Sequence, residues 1–511
     1  MKKLCSLLFS RYAISAITIL LEIALLILLF LKASEVYYLV FIIGAVINLG
    51  VIVAIVNADA NPEYKVSWIA VLTLLPYLGA LLCVIFYERR LTKREIRIGR
   101  EIRDKLNTPT EDEAFIELGR LDTSAAGKAM AIMRSDPSSA VYYAEELLYF
   151  PSGEALCESL LSDLKTARHY IFLEYFIVED GEMWSRIHAI LKEKARAGVR
   201  VRLLYDDVGC MGRLPRDFDK RLLCEGIDSR PFSRVTPKLT TVHNNRDHRK
   251  ICVIDGTVAY TGGVNIADEY INEKRRFGHW KDGGVRIFGA AALGFVKLYL
   301  QNWSFNIGEC EDFSEFLRVD HKPEGRKDGE FLLPFGSGPA PLYQRQVGKE
   351  ALLNIIDQAE RFVYITTPYL IVDFELTESL RGAAFRGVDV RIITPKIPDK
   401  RVIKVMTKSA YPYLMEAGVR IYEYTPGFIH EKLIVSDDKY AIIGSINLDY
   451  RSLAHHFECA VWIYSEPFSV TVRDGFMDTM SKSEEMSAVA SRLTFIEWIV
   501  KCIVRFFAPL L

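Results

Sequence analysis

One motif of polar residues occurs twice in this sequence, and its repetition constrains the fold more than any other feature. Each copy has a histidine, a lysine two positions later, an aspartate five positions further on and then an asparagine: His248, Lys250, Asp255 and Asn265, followed by His430, Lys432, Asp437 and Asn447. The copies are 182 residues apart at all four positions. Chance does not keep four polar positions in register over such a distance. The sequence therefore predicts two half-domains of the same fold that share one active centre.

The residues around each copy have the pattern of an α/β fold. Short apolar runs rich in β-branched and aromatic residues, which are typical of buried strands, lie on either side of a segment with helical spacing. These strand, helix and strand segments are 170–178, 184–197 and 199–205 in the first half, and 362–372, 376–385 and 388–394 in the second. We therefore predict two pseudo-repeated domains, each a mixed β-sheet flanked by helices, at 141–320 and 321–490.

The first 90 residues predict an N-terminal transmembrane region. Apolar stretches cover 13–31, 36–56 and 68–87, and the last two have about the length that crosses a hydrocarbon core. Residues 88–105 carry eight Lys and Arg against four acidic residues, which favours a cytoplasmic location for the rest of the chain. These patterns predict a multi-pass protein of the cell membrane with cytoplasmic catalytic domains. They leave open whether 13–31 spans the bilayer.

Two further segments flank the repeated domains. Residues 91–140 predict a charged helical connector, and residues 491–511 combine apolar and charged side chains at helical spacing. The second pattern fits an amphipathic helix on a bilayer surface and, equally, a terminal helix packed on the protein body. The balance of 64 basic against 65 acidic residues predicts no nucleic-acid partner, and the sequence does not indicate an oligomeric state.

The residue types in the repeated motif suit chemistry on a phosphodiester. A neutral histidine can attack phosphorus to form a covalent intermediate, and a second histidine can protonate the leaving alcohol and deprotonate the incoming one. Lys250 and Lys432 supply positive charge, and on a strand each points to the same face as the histidine two positions earlier. The residues predicted to bind the phosphate are Asn265, Asn447, Gly263 and Ser445.

The predicted catalytic group consists of His248, Lys250, Asp255, His430, Lys432 and Asp437. Asp255 and Asp437 stand at turn positions, where bracing of the loop is the alternative to a catalytic role. Asp282 and Glu458 are candidates for carboxylates that hydrogen-bond the far ring nitrogen of a catalytic histidine and set its tautomer. Four other histidines are expected in loops or packing: His243, His279, His455 and His456.

No metal and no cofactor are predicted. Each repeated histidine has a lysine on the same strand face, and an ammonium group disfavours a divalent cation nearby. Displacement at phosphorus by a histidine, assisted by a second histidine, proceeds without a metal ion.

The two copies of the motif resemble the motifs of the phospholipase D superfamily, and the surrounding residues are more similar still to bacterial cardiolipin synthases. The similar segments include 245–256, 261–271, 444–452, 61–68 and 337–339. The resemblance implies a phosphatidyl transfer between two phosphatidylglycerol molecules, which gives cardiolipin and glycerol through a phosphatidyl-histidine. It assigns the nucleophile to His248 and acid–base catalysis to His430, whereas the residues by themselves do not rank the two. Asn302 departs from the family, which often has aspartate before the tryptophan at this place.

The resemblance implies membrane phospholipids and the bilayer as partners, and two other functions stay open. One is a different phospholipase D-type phosphatidyl transferase or hydrolase, because the sequence does not show whether an alcohol or water ends the reaction. The other is a non-catalytic lipid-binding membrane protein. The complete His-Lys-Asn set in both copies argues against the second of these.

Overall fold

A computed structural model of the protein describes residue 24 and residues 35–87, 91–108, 112–234, 245–318, 326–487 and 491–507. The chain divides into two compact units. One consists of residues 1–90, 235–244 and 502–511, and the other of residues 91–234 and 245–501.

The smaller unit contains the helices Glu35–Asn57, Pro62–Leu74 and Pro76–Phe86. Its small core includes Trp68, Leu72 and Cys83. The apolar stretch 68–87, predicted as one span, is divided at Pro76, since proline starts a new helix there. A helix of 13 residues, such as Pro62–Leu74, is about 20 Å long, against about 30 Å of hydrocarbon core.

Across the described residues, we find no helix whose combined length and apolar character would suffice to cross a membrane. The predicted transmembrane spans at 36–56 and 68–87 are therefore wrong, and the finding also contradicts the predicted multi-pass cell-membrane localisation. The first apolar stretch, 13–31, lies outside the described residues apart from residue 24.

The larger unit contains two mixed β-sheets. Their strands, together with those of two short ribbons, are β1 Tyr142–Tyr143, β2 Glu146–Phe150, β3 Tyr170–Tyr175, β4 Arg200–Asp206, β5 Ile227–Phe232, β6 Lys250–Ile254, β7 Val258–Gly262, β8 His279–Lys281, β9 Gly284–Phe288, β10 Phe331–Ser337, β11 Phe362–Thr366, β12 Leu370–Ile371, β13 Asp389–Pro395, β14 Arg420–Tyr424, β15 Gly427–Ile429, β16 Leu433–Ser436, β17 Tyr440–Gly444, β18 Leu448–Asp449, β19 Glu458–Tyr464 and β20 Ser483–Glu485. The first sheet has the order β2-β9-β7-β6-β3-β4-β5, and the second has the order β1-β10-β19-β17-β16-β11-β13-β14-β20.

The two sheets repeat one topology. Without the edge strands β1 and β20, the second sheet has the same order as the first, with β10 corresponding to β2 and β14 to β5. In each sheet the three strands β3-β4-β5 or β11-β13-β14 are parallel and the other neighbours are antiparallel. The prediction of two pseudo-repeated domains with mixed sheets is therefore confirmed.

Helices cover the faces of both sheets. Those of the larger unit are Lys93–Leu106, Glu113–Leu121, Thr123–Ser135, Gly153–Leu164, Glu182–Arg196, Phe218–Cys224, Ala292–Ile307, Val347–Asp357, Phe374–Phe385, Arg401–Glu416, Tyr450–Ala454 and Glu466–Ser481, and the last helix is Phe495–Phe507. Successive residues of β3 enter different cores, with Phe172 in one and Ile171 and Leu173 in the other. This alternation follows from the two-residue period of a strand whose faces are both covered.

The segment predicted as a connector, 91–140, forms three helices whose apolar sides enter the main core. Ile102, Leu118 and Ala129 are fully buried there. The next strand, β1, pairs with β10 of the second sheet rather than with the first. The chain therefore contributes to the second half before it builds the first.

Candidate active site

Two short parallel strand pairings join the first repeated half of the chain to the second and bring the two motif histidines next to buried acidic residues. Asp247 pairs with Phe457, and the His248 amide donates to the Phe457 carbonyl at 2.9 Å. At the other place β15 pairs with β8, so Ile429 lies opposite Lys281. Because parallel strands advance together, the next residues also become neighbours: His248 lies beside Glu458 and His430 beside Asp282.

Each histidine therefore contacts the acid of the other half. The His248 Nδ1 atom is 3.0 Å from both carboxylate oxygens of Glu458, and the His430 Nδ1 atom is 2.7 Å from Asp282 Oδ2. All four side chains are buried. A carboxylate at Nδ1 fixes the tautomer in which Nδ1 carries the proton, so that Nε2 presents its lone pair. The spacing in the sequence does not reveal this crossed pairing.

Burial sets the protonation of these pairs. Burial lowers the pKa of His248 to about 3, although Glu458 acts in the opposite direction. Burial, followed by the charge of Lys432, lowers the pKa of His430 to about 4. For Glu458 burial alone would raise the pKa, but His248 lowers it well below its usual range. Both pairs therefore consist of a neutral imidazole and a carboxylate at neutral pH, and neutral imidazole is the nucleophilic form.

The two lysines add positive charge to the same buried region. Each ammonium group donates to the carbonyl oxygen of the histidine two positions earlier, Lys250 to His248 and Lys432 to His430. Burial lowers the pKa of Lys250 to about 8 and that of Lys432 to about 7, against the attraction of the two acids. A buried site that combines two neutral histidines with the positive charge of protonated lysines is suited to an anionic phosphate, which in turn favours the protonated lysines.

A small residue follows each β-hairpin and contacts the carboxylate of the histidine–acid pair. Ser445 donates its hydroxyl to Glu458 at 2.5 Å. At the equivalent position Gly263 leaves room for Asp282, since a Cβ atom there would lie 2.1 Å from Asp282 Oδ1. The structure places both positions against the carboxylates, and contact of Gly263 and Ser445 with a phosphate stays a prediction.

The two asparagines differ in their contacts. Asn265 donates to the Tyr270 hydroxyl at 2.7 Å and accepts from the Ile177 amide at 3.0 Å. Asn447 Oδ1 is buried and has no hydrogen-bond partner among the described residues. Of the two predicted phosphate ligands, Asn447 is the one whose side chain is not already engaged by these contacts.

Asp255 and Asp437 lie at the far ends of the hairpin strands, away from this group. Asp255 accepts from the backbone amides of 168–170, and Asp437 accepts from those of 360–362, all at 2.7–3.0 Å. Strand β3 gives the distance between the two ends. Its residue Tyr175 lies opposite Lys250, and its residue Tyr170 lies next to Asp255. These two tyrosines are five residues apart, so Asp255 is about 17 Å from Lys250 along the strand. The prediction that these aspartates belong to the catalytic group is corrected: they brace turns.

We expect Asp255→Ala and Asp437→Ala each to lower the free energy of unfolding by about 1–3 kcal/mol, because backbone amides lose a charged acceptor. Urea denaturation measures the loss. Asp255→Asn retains an acceptor oxygen and should lose less. A large loss of turnover at unchanged stability would contradict the structural role.

Aromatic rings enclose both histidines, and a third histidine joins one of them. His430 is flanked by Tyr270 and Trp280, with ring centroids 5.4 Å away. His248 is flanked by Phe176 at 5.0 Å and by His456 at 5.5 Å. Sequence reasoning assigned His456 to a loop or to packing. The sequence feature that could have indicated a site role for His456 is its position two residues before Glu458, a predicted partner of a catalytic histidine.

Buried polar side chains next to the first motif support the position of its histidine and lysine. Arg249 is fully buried and donates to the Leu298 carbonyl, Gln301 and Tyr343. Asn302, where the resemblance implied aspartate, donates to buried Glu174 at 2.8 Å. An aspartate at 302 would place a second carboxyl group beside Glu174 and would lose the amide that donates to it.

Within the described residues, His248, His456 and Glu458 form a group whose ligand atoms lie within 4.8 Å of one another. Such a set has the donors for a divalent ion. An ion there would compete with the bond between His248 and Glu458 and would face the charge of Lys250, which interacts with Glu458. The charges of the site therefore favour an anion.

The protein is similar in sequence to known proteins over most of its length. Residues 160–275 and 352–480 match the family described as "Cardiolipin synthase, PLD-like domain". A cardiolipin synthase of Geobacillus kaustophilus is 32% identical over 470 residues, 91% of this chain and 92% of that protein. An uncharacterised protein of Streptococcus mutans is 37% identical over 473 residues, 91% of this chain and 100% of that protein.

The fold also occurs among solved structures. The phosphatidylserine synthase of Haemophilus influenzae aligns with a TM-score of 0.57 and 15% sequence identity, covering 75% of this chain and 98% of that one. At this identity the likeness concerns the fold. The sequence match to cardiolipin synthases agrees with the buried histidine–acid pairs. The chain therefore belongs to the cardiolipin synthase family and is a phosphatidyltransferase with a phospholipase D-like fold.

Proposed function

We propose that the protein transfers a phosphatidyl group from one phosphatidylglycerol to another and so produces cardiolipin and glycerol. The observation that carries this proposal is the crossed pairing of two buried histidines with acids of opposite halves, His248 with Glu458 and His430 with Asp282. It provides one nucleophile and one acid–base group around a common positively charged site.

In the first step, His248 Nε2 attacks phosphorus and the bond from phosphorus to the glycerol oxygen breaks. His430 Nε2 gives its proton to that oxygen. The free enzyme has a neutral His430, but a bound phosphate brings negative charge beside the ring and favours the protonated form. Lys250, Lys432 and Asn447 stabilise the charge on the phosphoryl oxygens.

In the second step the reaction runs in reverse with a new alcohol. His430 takes the proton from a hydroxyl of the second phosphatidylglycerol, whose oxygen then attacks phosphorus. The bond between phosphorus and His248 breaks, and the ring nitrogen regains its lone pair. Exchange of one phosphodiester for another leaves the net charge of the site unchanged, so the same groups serve both steps.

The helix Phe495–Phe507 supports contact with a phospholipid surface. Phe495, Ile496 and Ile503 are 75%, 73% and 57% exposed, and no described side chain of the helix is buried. Lys501 and Arg505 lie on the same helix and suit anionic headgroups. We place the bilayer among the partners of the protein on this basis.

Product analysis tests the proposed function. Purified protein is incubated with phosphatidylglycerol alone in mixed micelles, and the lipids and free glycerol are quantified by mass spectrometry. We expect one cardiolipin for each glycerol released. Phosphatidic acid as the sole product would instead identify a hydrolase, and no turnover in an intact protein would favour a lipid-binding protein.

We expect kcat/KM for phosphatidylglycerol to fall as pH rises above about 7, by about tenfold per unit, and more steeply above about 8, where the second lysine also loses its proton. The pKa of Lys432 is lowered to about 7 and that of Lys250 to about 8, so the ammonium charge disappears over this range. Initial rates between pH 6 and 10 measure the profile. Lys432→Arg keeps its charge and should move the decline to higher pH, whereas a flat wild-type profile would refute the assignment.

A further inference from the structure

His456 is a third histidine at the active centre, on the side of His248. A ring nitrogen of each histidine and a carboxylate oxygen of Glu458 lie within 4.8 Å of one another. The pairing of Asp247 with Phe457 explains this position, because it brings the residue before Phe457 and the residue after Asp247 to the same edge. His456 is only 9% exposed.

Neither ring nitrogen of His456 has a hydrogen-bond partner among the described residues. The nearest acceptor, Glu458 Oε1, is 3.7 Å from Nδ1, which is beyond hydrogen-bond distance. Glu458 already accepts from His248 and from the hydroxyls of Ser445 and Ser452 at 2.5 and 2.6 Å. Glu458 attracts His456 at this ion-pair distance, and His456 helps to lower the pKa of Glu458, but the carboxylate, with its acceptor positions in use, leaves both ring nitrogens without a hydrogen bond of normal length. A buried imidazole without partners is unfavourable in the protein alone and indicates a ligand.

The equivalent position in the other half has a different chemistry. Trp280 lies two residues before Asp282, as His456 lies two before Glu458, and its buried Nε1 also lacks a partner among the described residues. Trp280 packs against Tyr270 and Phe428 with centroid distances of 4.8 Å. An indole offers one neutral donor, whereas imidazole exchanges protons and can donate from both nitrogens. The two sides of the centre are therefore unequal.

We infer that His456 binds a non-bridging oxygen of the phosphoryl group that is transferred to His248, an inference that rests on the proposed function. In an in-line displacement the leaving alcohol lies opposite the nucleophile, toward His430. A donor beside the nucleophile is therefore close to the phosphoryl oxygens rather than to the alcohol. In the His248 half, Asn265 is already engaged by Tyr270 and Ile177, and His456 supplies a donor in its place.

Binding of inorganic phosphate tests this role without turnover. Isothermal titration of the full chain compares wild type with His456→Phe, His456→Asn and the neighbouring control His455→Phe. We expect His456→Phe to weaken phosphate binding about tenfold to 100-fold, because a donor to an anion is lost. His456→Asn retains a donor and should restore most of the affinity. His455→Phe should bind as wild type does.

Thermal unfolding separates this role from a structural one. His456→Phe keeps a ring and removes two polar atoms without partners, so its Tm without phosphate should equal or exceed that of wild type, and phosphate should raise it less. Unchanged phosphate affinity overturns the inference, as does a loss confined to binding of Zn²⁺ alone. If phenylalanine is not tolerated, His456→Leu gives the same comparison. If wild type binds phosphate through His456 and forms no cardiolipin, the proposed function fails and the binding role stands.

Discussion

Replacing His248 by alanine is expected to lower cardiolipin formation at least about 1,000-fold and to abolish the covalent phosphatidyl-enzyme. The His248 Nε2 atom is the proposed attacking group, and its lone pair is presented because Nδ1 is bonded to Glu458. The measurement is incubation with acyl-labelled phosphatidylglycerol, quenching at alkaline pH and mass spectrometry of the protein.

His430→Ala is the matched variant, since it removes the equivalent imidazole from the other half. A phosphatidyl ester of p-nitrophenol distinguishes the two, because this leaving group departs without a proton. With it we expect His430→Ala to accumulate the labelled enzyme and His248→Ala to remain unlabelled. Label attached to His248→Ala would refute the assignment of the nucleophile.

Glu458→Gln is expected to reduce the rate of phosphatidyl-enzyme formation about 100-fold or more. The amide of glutamine can donate to His248 Nδ1, which would place the ring proton on Nε2 and remove the attacking lone pair. Stopped reactions with the p-nitrophenol ester measure this step directly. The buried position of Glu458, with its pKa held low by His248 against the effect of burial, makes loss of its charge consequential.

Asp282→Asn is the control for Glu458→Gln, because it changes the same kind of bond at His430. It should slow turnover of phosphatidylglycerol, whose glycerol needs a proton, and leave the burst of p-nitrophenol nearly unchanged. Equal effects of the two variants on that burst would contradict the division of labour between the histidines.

The repeat in the sequence was sufficient to predict much of the fold. Equal spacing of the histidine motifs indicated two copies of one sheet, and the strand order of the two sheets agrees. The apolar N-terminal stretches led to a wrong prediction of transmembrane spans. Hydropathy averages do not register that Pro76 ends one short helix and begins another.

Local sequence also does not reveal contacts whose partners come from distant segments of the chain. Asp255 and Asp437 follow the motif in the chain, yet a strand of five buried residues carries Asp255 to the other end of the sheet. Gly263 and Ser445 are small residues near the phosphate motif, and the acids that contact them come from later segments of the chain. Such contacts depend on the register between strands, which composition does not determine.

By itself, the sequence determined the repeat, the mixed sheets and the histidines and lysines of the site, because periodicity and residue type are local properties of the chain. Only the tertiary structure decided that each histidine takes its acid from the other half and that His456 joins His248 alone. The reason is the parallel pairing of Asp247 with Phe457 and of β15 with β8, which joins segments more than 140 residues apart.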